Sequence, residues 1–357
     1  MTTHETYMHR CLQLAQLGEG SVAPNPMVGA VLVHNDRIIG EGYHRQYGQA
    51  HAEVNCIDNV KEEDKGLIPE ATIYVSLEPC AHFGKTPPCA DLIIKSGIKN
   101  VVVGCRDPFS EVNGKGIEKL KAAGIQVTLG VLEEECRAIN KRFFTFHTRH
   151  RPFIVLKWAQ TADGKIANED YSRVLISNAY TNRLVHQWRS QQMAILVGTN
   201  TALFDDPSLT TRLWPGKDPI RLVVDMDLRL PASLQLFNGS IPTLVFNNQR
   251  HTLEQLNSID WTSIGVQYYQ VTEDVSLVDQ ISNALYQLNI QSVLVEGGAQ
   301  LLQSFIDEGV WDEACVITNE ALILGRGLPA PVLHNQTFIR SEYLQSDCIR
   351  TYTNSQL

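Results

Sequence analysis

Two short stretches decide the fold of the first half of the chain: AHAEVNCI (50–57) and SLEPCAHFGKTPPCADLIIKSGI (76–98). His51 opens a predicted helix, Cys80 follows a predicted strand, and Cys89 opens the next predicted helix. An imidazole and two thiolates suit zinc, and three protein ligands leave a fourth tetrahedral position for water. The pattern therefore predicts one catalytic Zn²⁺ per chain, with the pKa of its bound water lowered toward about 7.

Glu53 lies two residues after the histidine and is not required as a ligand. A carboxylate beside metal-bound water can take its proton, pass it to a ring nitrogen and later protonate the departing amine. Zinc nucleobase deaminases share the order His-x-Glu and Pro-Cys-x-x-Cys. Here Cys89 follows Cys80 by nine positions, so the match to the cytidine or tRNA-adenosine deaminase pattern is incomplete. The alternative is a closed structural zinc site, with His82 or Cys105 as the fourth ligand.

Four residues around this pattern are candidates for substrate binding: Asn25, His44, His82 and Lys85. The amide of Asn25 can pair with a pyrimidine edge through its donor and its acceptor. A lysine and a histidine in the loop between the cysteines suit a phosphate group. The alternatives are a turn-forming asparagine in a Pro-Asn-Pro sequence and solvated loop charges.

Around these stretches the chain alternates strand and helix patterns. A hairpin is predicted with Asn35 and Asp36 at its turn, and one helix is predicted for EEECRAINKRFFTFH (133–147). Strands separated by helices indicate a layered α/β fold with a largely parallel sheet. The second half alternates in the same way, and the tail after about residue 340 gives no clear prediction.

The domain boundary is predicted in the polar, basic stretch HTRHRPF (147–153), which gives domains of 1–147 and 148–357. The length of 357 residues fits two domains. A net charge of −9 argues against nucleic acid as the main partner. The N-terminus lacks the pattern of a signal peptide, and no apolar run reaches the roughly 20 residues that span a membrane. With eight scattered cysteines, these features predict a cytoplasmic protein with reduced thiols.

The first half resembles the bifunctional deaminase–reductase family of riboflavin biosynthesis. The resemblance rests on APNPMVGAVLV (23–33), VVVGCRDP (101–108) and the two stretches quoted first, with the form H-x-G-x-T-P-P-C between the cysteines. It implies a cytidine-deaminase-like three-layer α/β/α domain. DPFSEVNGKG (107–116) departs from the DPNP-like residues of the family, and we expect this loop to alter local contacts but not the chemistry.

The second half carries a weaker signal of its own. SVLVEGGAQLLQSFI (292–306) reads as a strand, a Gly-Gly turn and a helix, whose first N–H groups favour phosphate. By itself this is a common α/β connection, and it is not the G-x-G-x-x-G fingerprint of a dinucleotide-binding domain.

Four segments of the second half occur in the order seen in the reductase half of the same family. They are KWAQTADGKIA (157–167), SRVLISNAYTNRLVHQWRS (172–190), AILVGTNTALFDDPSLTTR (194–212) and LVEGGAQL (294–301). The resemblance implies a dihydrofolate-reductase-like α/β domain that uses NADPH. It implies that the cofactor lies along Ala159, Val174, Thr201, Asp205, Gly297 and Gly298. It implies that the sugar-phosphate substrate is held by Ser172, Arg189, Leu209, Arg212 and Glu296.

The family often has an aromatic residue where this chain has Val174, so a stacking contact with the cofactor is expected to be missing. Arg189 can fork a phosphate, and Glu296 can accept hydrogen bonds from ribose hydroxyls. The alternatives are a solvated helix charge for Arg189 and a plain helix-ending turn around Asp205.

The resemblance implies two consecutive reactions on a small phosphoribosyl-pyrimidine substrate. The first is hydrolytic deamination of 2,5-diamino-6-ribosylamino-4(3H)-pyrimidinone 5′-phosphate. The second is NADPH-dependent reduction of the ribosyl group, which gives 5-amino-6-ribitylamino-uracil 5′-phosphate. Two alternatives are a nucleoside or RNA deaminase with a C-terminal recruiting domain and a zinc-stabilised binding protein. A membrane partner is not expected, and assembly into a homo-oligomer is left open.

Overall fold

The computed structural model describes residues 2–84, 87–172, 174–253, 261 and 265–356. The chain divides into two compact units, Met1–Arg149 and His150–Leu357. Among the described residues, every helix is too short or too polar to span a bilayer.

The first unit is a sheet with helices on both faces. Its strands are β1 (Gly29–His34), β2 (Arg37–Tyr43), β3 (Thr72–Leu77), β4 (Asn100–Cys105) and β5 (Gln126–Leu129). Its helices are α1 (Thr3–Gln16), α2 (Ala52–Asp58), α3 (Cys89–Lys95), α4 (Lys115–Ala122), α5 (Glu133–Ile139) and α6 (Lys141–Arg149), with a 3₁₀ helix at Glu62–Glu70. The predicted boundary after residue 147 therefore falls within the last helix of this unit.

The strands of the first unit run in the order β2-β1-β3-β4-β5. The predicted β1–β2 hairpin is confirmed, and its turn residues Asn35 and Asp36 both have positive φ, 46° and 58°. Positive φ at both central residues is typical of a type I′ turn. The twist of this turn matches that of the two strands it joins. The β3–β4 and β4–β5 pairs are parallel, whereas β1 pairs antiparallel with both β2 and β3. The prediction of a largely parallel sheet was wrong for β2, β1 and β3. The chain crosses from β2 past β1 to β3, so β2 and β3 run in the same direction and β1 lies antiparallel between them.

Alternation along the central strands supplies both cores of this unit, because successive side chains of a strand point to opposite faces. Leu32 and Ile73 pack in a cluster with residues of α2, α3 and α4. Val31 and Tyr74, one residue away on the same strands, pack in a second cluster with residues of α1, α5 and α6. The predicted three-layer α/β/α arrangement is confirmed.

The single helix predicted for residues 133–147 was wrong, because the structure ends α5 at Ile139 and begins α6 at Lys141. Asn140 lies between them with φ −104° and ψ 20°. Its side chain accepts a hydrogen bond from the Met27 N–H at 2.7 Å and donates one to the Met27 carbonyl at 2.8 Å. This buried amide pair competes with continuation of the helix.

The second unit is built on one long sheet. Its strands are β6 (Phe153–Thr161), β7 (Lys165–Ala167), β8 (Ala194–Val197), β9 (Ile220–Val224), β10 (Thr243–Asn247), β11 (Val266–Gln270), β12 (Ser292–Glu296), β13 (Glu313–Asn319), β14 (Leu328–Pro329), β15 (Gln336–Leu344) and β16 (Asp347–Asn354). Its helices are α7 (Ala179–Ser190), α8 (Thr199–Asp205), α9 (Leu277–Gln287) and α10 (Ala299–Asp307), with a 3₁₀ helix at Gln235–Phe237.

The sheet of the second unit runs β11-β10-β9-β8-β12-β6-β13-β16-β15, with β7 and β14 forming a separate short pair. Pairing is parallel from β11 through β13, and β16 then pairs antiparallel with both β13 and β15. The β15–β16 hairpin accounts for the tail that gave no clear prediction. Almost all of β15 is exposed, so the tail lacks the apolar alternation that marks a strand.

Candidate active sites

Three side chains of the first unit gather into one candidate metal site. The donor atoms of His51, Cys80 and Cys89 all lie within 4.8 Å of one another. His51 Nδ1 is 3.6 Å from Cys80 Sγ and 3.3 Å from Cys89 Sγ. Tetrahedral zinc with ordinary bond lengths would place such a nitrogen and sulfur about 3.5 Å apart. The donor set and its spacing therefore fit zinc.

Local structure explains why these three donors meet. His51 is the residue before α2, and Cys89 is the first residue of α3. The Cys89 N–H donates to Cys80 Sγ at 3.3 Å, so the start of α3 is aimed at the other cysteine. Hydrogen bonds from the Cys89 thiol and from His51 lower the pKa of the Cys80 thiol. A sulfur held as thiolate is the form that binds a metal ion.

Glu53 lies in the first turn of α2 and is 3 % exposed. Burial, with a further contribution from the nearby Cys80, raises the pKa of this carboxyl from 4.5 to about 7. A carboxyl with a pKa near neutrality can both take and give a proton at the working pH. The donor cluster found in the described residues does not include Glu53.

The alternative of a fourth protein ligand gains no support from the described residues. The cluster found there contains His51 and the two cysteines, and neither His82 nor Cys105 joins it. The Cys105 thiol instead donates to the Ser76 carbonyl at 3.5 Å. Three donors leave one tetrahedral position open, which is the arrangement of catalytic zinc sites.

Two of the residues expected to read the substrate lie together beside the metal donors. Asn25 Nδ2 is 3.2 Å from His44 Nε2, and the His44 ring lies 5.3 Å from the His51 ring. His44 Nδ1 is 3.1 Å from the Ala50 carbonyl, and burial lowers the pKa of this histidine. His44 therefore presents a neutral ring that donates to the carbonyl through Nδ1. This pairing fixes Nε2 as an acceptor for the Asn25 amide.

The loop between the cysteines is described up to Gly84, so Lys85 lies outside the described residues. His82 is half-buried, and its ring lies 6.0 Å from that of Phe109. Among the residues that the structure describes, its buried Nδ1 has no hydrogen-bond partner. A buried nitrogen without a partner is costly, which suits a histidine that meets a ligand.

Glu78, which sequence reasoning missed, organises the loop next to the metal site. Its buried carboxylate accepts hydrogen bonds at 3.0–3.3 Å from four backbone N–H groups. The donors are Asp107, Gly114, Gly116 and Ile117. A Cβ atom on Gly116 would lie 1.9 Å from the Pro79 carbonyl oxygen, so only glycine allows this approach. The role of Glu78 depends on contacts across the sheet that local spacing does not show.

The second unit contains a cavity of about 960 Å³. It is lined by most of the residues that the resemblance implied for this half: Ala159, Val174, Arg189, Thr201, Asp205, Leu209, Arg212, Glu296, Gly297 and Gly298. Ser172 is not among the lining residues, and its hydroxyl accepts a hydrogen bond from Asn168 at 2.8 Å. The structure thus brings together all but one of these residues.

An ion cluster lies at the polar side of this cavity. Lys157 on β6 is the register partner of Glu296 on β12, and its Nζ donates to Glu296 Oε1 at 2.9 Å. Arg189 on α7 donates to both oxygens of the same carboxylate at 2.8 and 2.9 Å. Burial raises the pKa of Glu296, but Arg189 and Lys157 outweigh it and hold that pKa well below its usual range. Lys157 was missed because its partner lies 139 residues away in the sequence.

The surroundings of this cluster are basic. The Arg189 guanidinium also donates to the Thr210 carbonyl at 3.1 Å, so three of its five N–H groups have protein partners. Arg212 is exposed at the cavity and donates to the Thr210 hydroxyl at 3.2 Å. Burial, Arg189 and Arg212 lower the pKa of His186 to about 4, which keeps this lining residue neutral.

The Gly-Gly turn has the geometry that the sequence predicted. Gly297 and Gly298 have φ of 88° and 74°, which favours glycine at both positions. A Cβ atom on Gly297 would lie 3.0 Å from Thr201 Cγ2, so the turn lies against the start of α8. With α10 beginning at Ala299, the N–H groups at its start are at the cavity.

Comparison with known proteins covers both units. Residues 1–105 match the family described as "Cytidine and deoxycytidylate deaminase zinc-binding region". Residues 152–354 match the family described as "RibD C-terminal domain". The riboflavin biosynthesis protein RibD of Aquifex aeolicus is 43% identical over 326 residues, which cover 91% of this chain and 88% of that protein. That of Bacillus amyloliquefaciens is 40% identical over 311 residues, 87% of this chain and 82% of that protein.

The chain belongs to the RibD family. Among solved structures, a Thermotoga maritima diaminohydroxyphosphoribosylaminopyrimidine deaminase/5-amino-6-(5-phosphoribosylamino)uracil reductase superposes with a TM-score of 0.86 at 36% identity. That comparison covers 99% of both chains. RibD of Acinetobacter baumannii also gives 0.86, at 31% identity and 98% coverage of both chains.

Membership in the RibD family confirms the resemblance and the fold class inferred from the sequence. The chain is a bifunctional enzyme of riboflavin biosynthesis, in which a zinc-dependent deaminase is joined to an NADPH-dependent reductase. Its substrate is a small pyrimidine compound.

Proposed function

We propose that the first unit hydrolyses the 2-amino group of 2,5-diamino-6-ribosylamino-4(3H)-pyrimidinone 5′-phosphate, releasing ammonia. The second unit then reduces the ribosyl group of the product to ribityl with NADPH. The observation that carries the proposal is the placement of Glu53 within one turn of a three-donor site that fits zinc. The name of the Thermotoga maritima relative, which combines a deaminase with a reductase, supports the same assignment.

In the deaminase, His51, Cys80 and Cys89 would hold the metal ion. Bound zinc supplies hydroxide at neutral pH by lowering the pKa of a water molecule in its open position. Glu53 takes one proton from this water and gives it to a ring nitrogen as the hydroxide adds to the carbon that carries the amino group. It then takes the second proton, from the added hydroxyl, and gives it to the amino group. The carbon–nitrogen bond breaks, a carbonyl forms, and ammonia leaves. Its pKa of about 7 suits transfer in both directions.

The substrate ring is oriented by the pair of Asn25 and His44, whose polar atoms lie beside the metal donors. His82 and Lys85, on the loop between the cysteines, bind the phosphate. For His82, the orphaned Nδ1 supports this role. For Lys85 the role stays a prediction from the sequence.

In the reductase, NADPH supplies a hydride, and the cavity walls supply its placement. The cofactor would lie along Ala159, Val174, Thr201, Asp205 and the Gly297–Gly298 turn. Arg212 is exposed at the cavity and can bind the substrate phosphate. The other predicted substrate contacts stay predictions: Ser172, Arg189 and Leu209. Of these, Ser172 is not among the residues that line the cavity.

Glu296 remains ionised at neutral pH because two cations bind it. A carboxylate has about four lone-pair positions. Three hydrogen bonds from Lys157 and Arg189 use part of this capacity. The remaining position is on Oε2 and can accept one ribose hydroxyl. The number of such contacts is therefore smaller than a free carboxylate would allow.

The two half-reactions can be separated with a chelator. Zinc is removed from the full chain with a metal chelator, and ammonia release and NADPH oxidation are measured separately. Deamination should stop and return when zinc is restored, while reduction of supplied deaminated intermediate continues. Ammonia release that survives complete zinc removal would refute the deaminase mechanism. Release of ammonia from cytidine or tRNA instead of the phosphoribosyl-pyrimidine would favour the nucleoside or RNA deaminase. A cytoplasmic location stays a prediction, and assembly into a homo-oligomer stays open.

A further inference from the structure

Two aromatic side chains stack at the cavity of the second unit. The rings of Tyr171 and Phe204 lie 4.9 Å apart with an interplanar angle of 13°. Both residues line the cavity, yet they are 40% and 50% exposed. Large aromatic surface exposed at the wall of a cavity is apolar area that a ligand can cover.

The backbone holds Tyr171 in an unusual conformation. Its φ is +63°, a region that bulky residues rarely adopt. The turn around it is tied by the Tyr171 N–H to the Asn168 carbonyl at 3.1 Å. Asn168 also donates to the Ser172 hydroxyl, and the Ser172 N–H donates to the Asp170 carboxylate at 2.9 Å. A strained position secured by several local bonds points to a function for the side chain placed there.

The stacked pair lies among the residues predicted to follow the cofactor. Phe204 is one turn after Thr201 on α8, so both can face the same side of the helix. Thr201 in turn lies against the Gly297–Gly298 turn. Tyr171 comes three residues before Val174, and both line the cavity.

We propose that Tyr171 and Phe204 form the stacking surface for a planar ring of NADPH, a role that the aliphatic Val174 at the same cavity cannot fill. The proposal rests on the proposed reductase function and names the residues that supply its aromatic contact. Val174 offers only a small aliphatic surface to the cavity. Two neighbouring positions, Tyr171 and Phe204, together present the flat surface from a different part of the same wall.

The geometry suits a heteroaromatic ring as the occupant. The stacked rings of Tyr171 and Phe204 cover one face of each other. The opposite face of each ring is left for a further contact. Offset or edge contact with a further ring has centroid separations of 4.5–7 Å. Each aromatic contact of this kind should change the dissociation constant about two- to tenfold. Nicotinamide and adenine are the two planar rings that NADPH offers, and the experiment distinguishes them.

The experiment measures the dissociation constant of NADPH by its own fluorescence, with the full zinc-loaded chain. The variants are Tyr171→Ala, Phe204→Ala and the combination of both. We expect about a fivefold weaker constant for each single variant and about 20-fold or more for the pair. Tyr180→Ala is the matched control, because Tyr180 is 59% exposed in the same unit but does not line the cavity. The melting temperature of the second unit, followed by tryptophan fluorescence, verifies the folding of each variant.

Two further arms locate the ring. The double variant is titrated with reduced nicotinamide mononucleotide and with 2′,5′-ADP, and weaker binding of either fragment supports stacking by that fragment's ring. Val174→Trp, added to the double variant, should restore most of the lost NADPH affinity. If it does not in a stably folded protein, loss of aromatic stacking as the cause of the weaker binding is refuted. Failure of the unaltered chain to bind NADPH would contradict the proposed function. Normal binding of NADPH and both fragments by the folded double variant would overturn the inference alone.

Discussion

The two candidate sites are built on different scales. In the first unit, three donors from a 39-residue stretch of chain, His51 to Cys89, come within 4.8 Å of one another. In the second, a cavity of about 960 Å³ is lined by residues that range from Lys157 to Pro329. The first site is defined by chemistry at one point, whereas the second is defined by the shape and charge of a long wall.

This difference predicts how each site responds to the loss of one group. A metal site depends on a few atoms held at fixed distances, so loss of one proton-transfer group should abolish its reaction. A dinucleotide cavity distributes binding over many contacts, so loss of one contact should weaken it by a smaller factor. Four predictions test this contrast, in order of decreasing effect.

Glu53→Gln should abolish deamination without loss of zinc. The amide cannot shuttle protons, so ammonia release should fall by about 10²–10⁴-fold. The metal content, measured by elemental analysis, should remain one zinc per chain, because the three donors are unchanged. Reduction of supplied intermediate is the internal control. Unimpaired deamination would remove Glu53 from the mechanism.

Glu296→Gln should destabilise the second unit, because it leaves Lys157 and Arg189 buried beside a neutral group. Removing one partner of a buried ion cluster costs about 3–5 kcal/mol. All five tryptophans lie after residue 157, so tryptophan fluorescence during urea unfolding reports on this unit alone.

Glu320→Gln is the matched control for this change, since Glu320 and its partner Arg350 are 47% and 36% exposed. An exposed pair contributes about 0–1 kcal/mol. Equal effects of the two substitutions would show that the buried cluster adds nothing special to the stability of the second unit.

Glu78→Gln should lower the free energy of local unfolding of the loop beside the metal site by about 2 kcal/mol. The reason is that an amide nitrogen would then face backbone N–H donors. Hydrogen exchange should speed up at Gly114, Gly116 and Ile117, whose N–H groups donate to this carboxylate. Glu118→Gln, an exposed change on α4, serves as the control. Unchanged exchange at these amides would mean that other contacts hold the loop.

His186→Gln should reduce the acid sensitivity of the second unit. The pKa of His186 is lowered from 6.5 to about 4, so below pH 6.5 the unfolded chain binds a proton that the folded chain does not. The contribution of neutral His186 to the free energy of unfolding is therefore fully present above pH 6.5, and it is lost as the pH falls toward 4. From pH 7.5 to 5.5 this loss is about 1 kcal/mol, or about 2–4 °C in melting temperature. The variant should lack this decrement when thermal unfolding is followed by tryptophan fluorescence.

The contrast between the sites also explains what the sequence could reveal. The three metal donors and Glu53 could be predicted from the sequence. Each lies at a helix start or after a strand end that neighbouring residues in the chain define. The role of Lys157 could not be predicted, because its ion pair is made with Glu296 on the neighbouring strand. The stacked Tyr171 and Phe204 were missed for the same reason, because the pairing of a loop with α8 is a tertiary event.

The fold followed the same division. Buried, apolar strands and amphipathic helices were predicted, whereas the exposed strand β15 left no periodic signal. The break at Asn140 was missed because its cause is a hydrogen-bonded partner, Met27, more than a hundred residues away. Local pattern therefore specified the elements, and distant partners decided where several of them begin and end.

Glu78 binds the neighbouring loop through backbone groups alone, which limits the substitutions that could break these bonds. Its carboxylate holds main-chain N–H groups, which every residue except proline provides. The bonds to Glu78 therefore exclude only proline at these positions and set no requirement on the side chain. Other features restrict three of them: Gly114 has a φ of 86°, the Pro79 carbonyl leaves no room for a methyl group on Gly116, and Ile117 is buried.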